Sequence, residues 1–475
     1  MTDPNPPPML TAPATSPPPL VMQHQLRSLD DTIEHCIGEF GWKQFLQSTL
    51  ISFAWFFDAQ QSFISVFTDA EPKWSCNNST SYNNSHFFSC NATSNICQLP
   101  KTSWSWDSPV RTSTISEWSL QCAGPIIRGL PASSFLLGCL VGGLVLATLA
   151  DSNIGRKNML VLSSLIMSLF GALTTVSTNI WMYTGLRFVS GLGRSTIGTC
   201  SLVLASELCT SRPMNLRDGF SSRGRKEEFA NTLKSLASSP QHLNILTENF
   251  FENYKERTTK SREHHLYTTI KILLKKGWAF KRLIVVMLVG FSIGMAYYGM
   301  PFGLGNLSFN LYLSVTLNAL SESLSSSILF FLIGKMTRKG SVVVLALLSG
   351  ICNVMSVLVK LKGLQMGIEL LSFFCACMAF DVLLIYTLEL FPTCVRNSAV
   401  SMMREATLFG GFIGPLLVEV GRKNGLLSYG LFGTTIILCG LFVVWLPETK
   451  GRVLFDTMEE AERKDGEVNN GANCA

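Results

Sequence analysis

Ten separated apolar runs constrain this chain more than any other feature. They lie at residues 44–67, 130–150, 159–178, 180–208, 283–304, 307–334, 342–361, 364–390, 399–420 and 426–446. Each has about 20 residues or more, the length a helix rising 1.5 Å per residue needs to cross a bilayer's hydrocarbon core. Lipid offers no water to satisfy backbone N–H and C=O groups, so such segments must be helices. The chain reads as an all-α polytopic membrane protein with about 10 transmembrane helices. With 15% charged and 47% hydrophobic residues in 475, it is too poor in charge for a string of soluble domains. Residues 1–43 form a cytosolic tail with eight prolines before Leu20 and no uninterrupted apolar core. No cleavable signal peptide is evident, and the first span serves as its own uncleaved signal.

Charge sets the sidedness. Residues 209–282 carry 15 Lys/Arg against seven Asp/Glu, a balance of +8 that exceeds the +6 of the whole chain. A basic run can mark a nucleic-acid surface, but flanked by spans it reads as the positive-inside signal and no nucleic acid is expected. The central loop is therefore cytosolic. Four spans before it (44–208) and six after it (283–446) place both termini in the cytosol, the last being the tail 447–475. The short basic loops 151–157, 335–339 and 391–397 fall on the same side. Segment 68–129 then faces the extracellular or lumenal side, with four basic and four acidic residues.

That outer segment holds Cys76, Cys90, Cys97 and Cys122 and the glycosylation sequons at Asn77, Asn78, Asn83 and Asn91. Four cysteines in an oxidising compartment can form two disulfides, with three connectivities open. Sequons clustered on the translocated side agree with the topology. All six histidines lie outside the spans, no Cys-x-x-Cys grouping has zinc spacing, and no Gly-rich Lys-Ser/Thr loop could cradle a phosphate. We expect no enzyme, metal or cofactor, and no filter-like re-entrant Gly motif supports a channel.

"GGLVLATLADSNIGRKNML" (142–160) resembles the signature loop of the major facilitator superfamily, and "GKMTRKG" (334–340) lies at the matching place in the second half. Internal repetition of this kind builds such transporters. The first copy is one residue longer than the usual family spacing. Further stretches are similar to the organic cation/carnitine transporter family, most nearly its plant members: "SLDDTIEHCIGEFGWKQFLQ" (28–47), "SFAWFFDAQQSF" (52–63), "SEWSLQCAG" (116–124), "ELFPTCVRNSAVSM" (389–402) and "LPETKG" (446–451). The resemblance implies a two-bundle fold and alternating-access transport of small organic cations or carnitine-like zwitterions across the plasma or vacuolar membrane. It also implies a gate formed by Asp151, Gly155, Arg156, Lys157, Arg338, Lys339, Glu389 and Arg396, whose charges bind neighbouring helix ends. A proton, a sodium ion or the membrane potential could each supply the energy.

Charges inside spans cost a few kcal/mol in lipid, so those retained face a cavity or a partner. The candidates are Asp58, Arg187, Glu322 and Asp381, with Gln61 beside them. Arg187 resembles the family's fourth-span Arg–Gly pattern, which implies a coupling role; a helix-pairing charge is the alternative. Glu322 resembles an acid of cation transporters that would favour an ammonium. Tyr297, Tyr298, Tyr312 and Tyr386 could offer cation–π faces, although packing or headgroup anchoring is the commoner use of any one of them. At Leu408, cation-selective relatives tend to carry an acid and anion or carnitine relatives a base. Glu405 could compensate by pointing inward, with Arg404 then facing away.

Family members have twelve spans. Here "RGRKEEFANTLKSLAS" (223–238), which resembles the start of the loop that follows the sixth, comes fourteen residues after Leu208. The fifth and sixth spans are absent, leaving an incomplete N-terminal bundle whose helices expose faces that would pack on the missing pair. A gene-model or splicing deletion and a true loss both fit. Transport impaired by the shortening, or a non-transporting binding or regulatory protein, are the corresponding outcomes.

Overall fold

The computed structural model describes residues 42–76, 96–150, 156–201, 204, 271, 273–304, 310–359, 361–423, 425–451, 458–460 and 462–463. The sequons at Asn77, Asn78, Asn83 and Asn91, together with Cys90, Asp151, Gly155 and the seam after Leu208, lie outside these residues, as does the Arg156 side chain.

Each of the ten apolar runs carries a helix. In the first half these are α1 (Trp42–Thr68), α2 (Pro125–Ala150), α3 (Arg156–Leu173) and α4 (Ile180–Arg194). In the second half they are α5 (Gly277–Gly303), α6 (Leu311–Leu332), α7 (Arg338–Leu358), α8 (Lys362–Leu390), α9 (Thr393–Val420) and α10 (Gly425–Leu441). Their ends follow local chemistry rather than hydropathy. Pro125 opens α2, where its missing N–H costs nothing. Asn310 caps α6 by accepting from the N–H groups of Tyr312 and Leu313, so this helix begins later than its apolar run.

Among the described residues, seven of these helices are long and apolar enough to cross a membrane. The other three are α1, α4 and α9. These carry Asp58 and Gln61, Arg187 and Arg194, and Arg404 and Glu405 respectively, which lowers their hydropathy; α4, at 15 residues, is also short. The helices that look least like spans are thus the ones that hold the polar centre.

Helices cross closely where a glycine removes a side chain. A Cβ on Gly138 of α2 would meet the Phe188 carbonyl of α4, and one on Gly191 of α4 would meet the Phe135 carbonyl of α2. The same reciprocal contact recurs between α5 and α9, with Gly294 against the Thr407 carbonyl and Gly410 against that of Phe291. Small residues at such crossings replace the hydrophobic drive that lipid abolishes. Gly410→Ala is expected to lower stability by about 1–3 kcal/mol through forced helix separation, read as a lower melting midpoint in detergent. Gly363→Ala, with open space around it, should leave the midpoint unchanged.

α2 also packs on α9 and so joins the two halves, with Gly129 against the Pro415 carbonyl and Leu416. Packing is otherwise uneven. The apolar stretches of α2 and α5 are 61% buried and that of α7 is 50% buried, but those of α3 and α6 only 17%. On α1, Leu50, Phe53, Phe56 and Phe57 are exposed. The segment between α1 and α2 adds a short antiparallel ribbon, Trp74–Cys76 with Trp104–Trp106, whose Trp104 and Trp106 rings meet edge to face at 5.0 Å. It is fastened by the disulfide Cys97–Cys122, and Cys76 is disulfide-bonded as well.

Candidate functional site

Asp58 and Gln61 lie three residues apart on α1 and so share one helix face. Arg187 and Arg194 lie seven apart on α4, two turns, and also share a face. The two faces meet. Asp58 takes both arms of Arg194, Nε to Oδ1 at 2.8 Å and Nη2 to Oδ2 at 3.1 Å, the strong bidentate geometry of a guanidinium–carboxylate pair. Arg187 is 2% exposed and has no such partner among the described residues. It donates instead to the Gln61 side chain at 3.5 Å, to the Gln61 carbonyl at 3.3 Å and to the Ser65 hydroxyl. Its guanidinium lies 4.5 Å from the centre of the Phe135 ring, and that of Arg194 lies 5.9 Å from it. One ring of α2 therefore stacks against two cations. Arg194 was not among the residues expected from sequence, although its seven-residue spacing from Arg187 was a usable signal.

Consecutive tyrosines on α5 connect this group to the second half, their rings edge to face at 4.9 Å. Tyr298 packs on the cluster of Phe135, Leu136 and Cys139 together with Leu408 and Phe412. Tyr297 turns the other way. Its hydroxyl donates to Glu322 Oε1 of α6 at 2.6 Å, and its ring stacks on Phe373 and Phe380 of α8 at 5.7 and 6.1 Å. One turn beyond Glu322, Ser326 donates to Asp381 Oδ2 of α8 at 3.0 Å, and the charges of Glu322 and Asp381 act on one another. No Lys or Arg among the described residues forms an ion pair with either carboxylate. Asp58 is thus neutralised by Arg194, whereas among the described residues Glu322 and Asp381 have no cation, nor has Glu369 of α8, which is 1% exposed and accepts from Asn318 at 3.3 Å.

Arg404 does not face away, since it lies in the field of Tyr298, Asp58, Arg194 and Glu405, while Glu405 packs over Gly143 of α2. Leu408 packs on the cluster of Phe135, Leu136 and Cys139. Tyr386 is fully buried, and its hydroxyl donates to the Pro447 carbonyl at 2.6 Å, so it serves packing. Tyr312 is 69% exposed and stacks on Phe67 at 5.4 Å.

At the opposite end from the disulfide, Arg338 heads α7 and binds Glu389 at the end of α8 through Nε and Nη2, each at 3.1 Å. It also reaches the carbonyls of Ile333 and Met336. Thr449 donates to the same Glu389 at 2.7 Å. Glu448 supplies the cap that Thr337 does not, accepting from the backbone N–H groups of Arg338 at 2.9 Å and Lys339 at 3.2 Å. Burial pushes the Glu448 carboxyl up, but the N–H groups of Lys450, Arg338, Thr449 and Lys339 outweigh this and hold it below the usual range. Arg396 closes on the Phe391 carbonyl at 3.3 Å. Lys157, of the first-half loop, is exposed.

The sequence model of the family described as "Sugar (and other) transporter" matches residues 74–222. Organic cation/carnitine transporter 3 of Arabidopsis thaliana is 49% identical, with 92% of this chain and 94% of that protein covered. Organic cation/carnitine transporter 2 of the same plant is 45% identical over 92% and 94%. A crystal structure of a D-xylose-proton symporter is similar at 17% identity and a TM-score of 0.48, covering 70% of this chain and 90% of that one. On the strength of the two plant relatives, matched along nearly their full length, this multi-pass membrane protein belongs to the organic cation/carnitine transporter family of the major facilitator superfamily.

Proposed function

We propose that the chain binds small organic cations or carnitine-like zwitterions between its two halves and moves them across the plasma or vacuolar membrane by alternating access. The observation that carries this reading is the pair Glu322 and Asp381. Two carboxylates held on facing helices without a cation are costly in a membrane, and a substrate ammonium offsets that cost by supplying the missing charge. Tyr297 and Tyr298 place aromatic faces beside them, which suit a quaternary ammonium. Asp58, Gln61 and Arg187 serve the coupling of the halves rather than the ligand, because Asp58 is already taken by Arg194. The names of the two plant relatives support the substrate class.

One observation favours a weakened or non-transporting form. The match to the first relative runs over 494 residues, longer than this chain, yet covers only 92% of it. The relative therefore fills positions that this chain leaves empty, as two missing spans between residues 208 and 223 would require. The thin burial of α3 and α6 and the exposed phenylalanines of α1 fit the same gap. Uptake of a labelled quaternary ammonium solute tests the reading, measured in cells expressing this chain and in cells expressing a version with the two spans restored. Saturable uptake by both supports transport by this chain. Uptake by the restored version alone, with both present at the membrane, assigns this chain a non-transporting role.

A further inference from the structure

At the end of the bundle that carries the disulfide, four charged side chains from three segments close a ring. Arg128 begins α2, Glu71 follows α1, Glu419 ends α9, and Arg422 lies in the turn after it. Arg128 Nε stands 3.2 Å from Glu419 Oε2, Arg422 Nη2 2.9 Å from Glu71 Oε2, and Arg422 Nη1 3.1 Å from Glu419 Oε2. Arg128 Nη1 completes the ring at 3.9 Å from Glu71 Oε2. These side chains are only 13–23% exposed, so they are not the freely solvated pairs that contribute almost nothing. Two of the contacts, Arg128 to Glu419 and Arg422 to Glu71, tie the first half to the second.

A cavity opens beside the ring and is lined by it together with Ser65, Asp69, Phe302 and Pro415. Asp69 lies just beyond the last turn of α1. Its Oδ1 accepts from Thr114 at 3.1 Å and Thr68 at 3.3 Å, whereas its Oδ2 is buried with no hydrogen-bond partner among the described residues. The groups facing it are Arg187 and Tyr183 of α4, Glu419 of α9, and the ring members that share its cavity, Glu71, Arg128 and Arg422. Of these, Arg187 attracts its charge and Glu419 repels it.

We propose that Asp69 is the proton site of a latch on this face, holding a proton while the ring clamps the halves together and releasing it to water when they part. The proposal rests on the reading of the chain as alternating between states. A buried oxygen without a donor is far costlier on a charged carboxylate than on a neutral carboxylic acid, whose desolvation penalty is smaller. Consistently, burial raises the Asp69 carboxyl from its ordinary 3.8 to about 6, against the opposing pull of the Arg187 guanidinium. Once the halves part and water reaches Asp69, its pKa returns toward the ordinary value. The pKa is thus raised in the clamped state, so the proton's contribution to clamping is complete below the ordinary pKa and is lost as pH rises through about 6. A difference of about two units corresponds to roughly a hundredfold change in the ratio of clamped to parted forms.

Hydrogen–deuterium exchange of the whole chain in lipid nanodiscs, corrected for the intrinsic pH dependence of exchange, tests this at peptides covering 125–132 and 415–423. In the wild type, exchange is expected to quicken by about tenfold between pH 5 and pH 8, levelling off above about 6. Asp69→Asn, which cannot take a charge, is expected to stay protected at both values. A wild type indifferent to pH, or an Asp69→Asn variant that keeps the wild-type response, would overturn the latch. The readout needs no substrate, so failure of uptake bears on the transport reading alone.

Discussion

Glu322→Gln is expected to weaken uptake of a quaternary ammonium solute by about tenfold, and the double change Glu322→Gln/Asp381→Asn by about a hundredfold or more. The amides keep the size of the acids, and the amide oxygen introduced at position 322 can still accept from Tyr297, so the loss reports charge. Tyr297→Phe removes the hydroxyl that reaches Glu322 at 2.6 Å but leaves both carboxylates. It is expected to cost about twofold to fivefold, the scale of one hydrogen bond. A purely structural pair would give another order, with Tyr297→Phe as damaging as the double change. Saturation curves for the version with restored spans, measured at equal surface abundance, separate the two.

The second large effect concerns Asp58. It is the carboxylate bound by Arg194, and Arg187 and Arg404 lie near the same centre, so Asp58→Asn leaves cations facing one another without compensation. Removing one partner of a buried pair costs about 3–5 kcal/mol, which corresponds to a melting midpoint lower by on the order of 5–10 °C. The pair Asp58→Asn/Arg194→Gln removes both charges together and is expected to regain most of that loss. Thermal unfolding in detergent measures both. A double variant no better than Asp58→Asn alone would show that Arg194 is held by something other than this acid.

How much of this was legible in the sequence differs by level. Apolar runs announced all ten helices, because burial in lipid leaves a backbone no alternative. They misplaced the ends, because Pro125 and Asn310 act through backbone donors that hydropathy does not register. In the polar centre, Asp58, Gln61, Arg187, Glu322 and Asp381 stood out as charged or polar residues inside apolar runs. Arg194 lies in the same run as Arg187, two helical turns further on, and was equally legible but was not singled out. The inward position of Arg404 depends on how α9 is rotated against α2 and α5, which one sequence does not encode locally. The ring at the disulfide-bearing end was least legible. Glu71, Arg128, Glu419 and Arg422 lie beside loops, where charges are ordinary, and only the packing of α2 on α9 brings them together.

That second-half carboxylates without a cation make a binding site for organic cations is tested most directly by equilibrium binding to the purified chain in lipid nanodiscs, with labelled tetraethylammonium as the probe. The account predicts saturable binding, displaced by unlabelled carnitine but not by an organic anion of similar size, and lost in Glu322→Gln/Asp381→Asn. No saturable binding, or binding that this double variant retains, would contradict it.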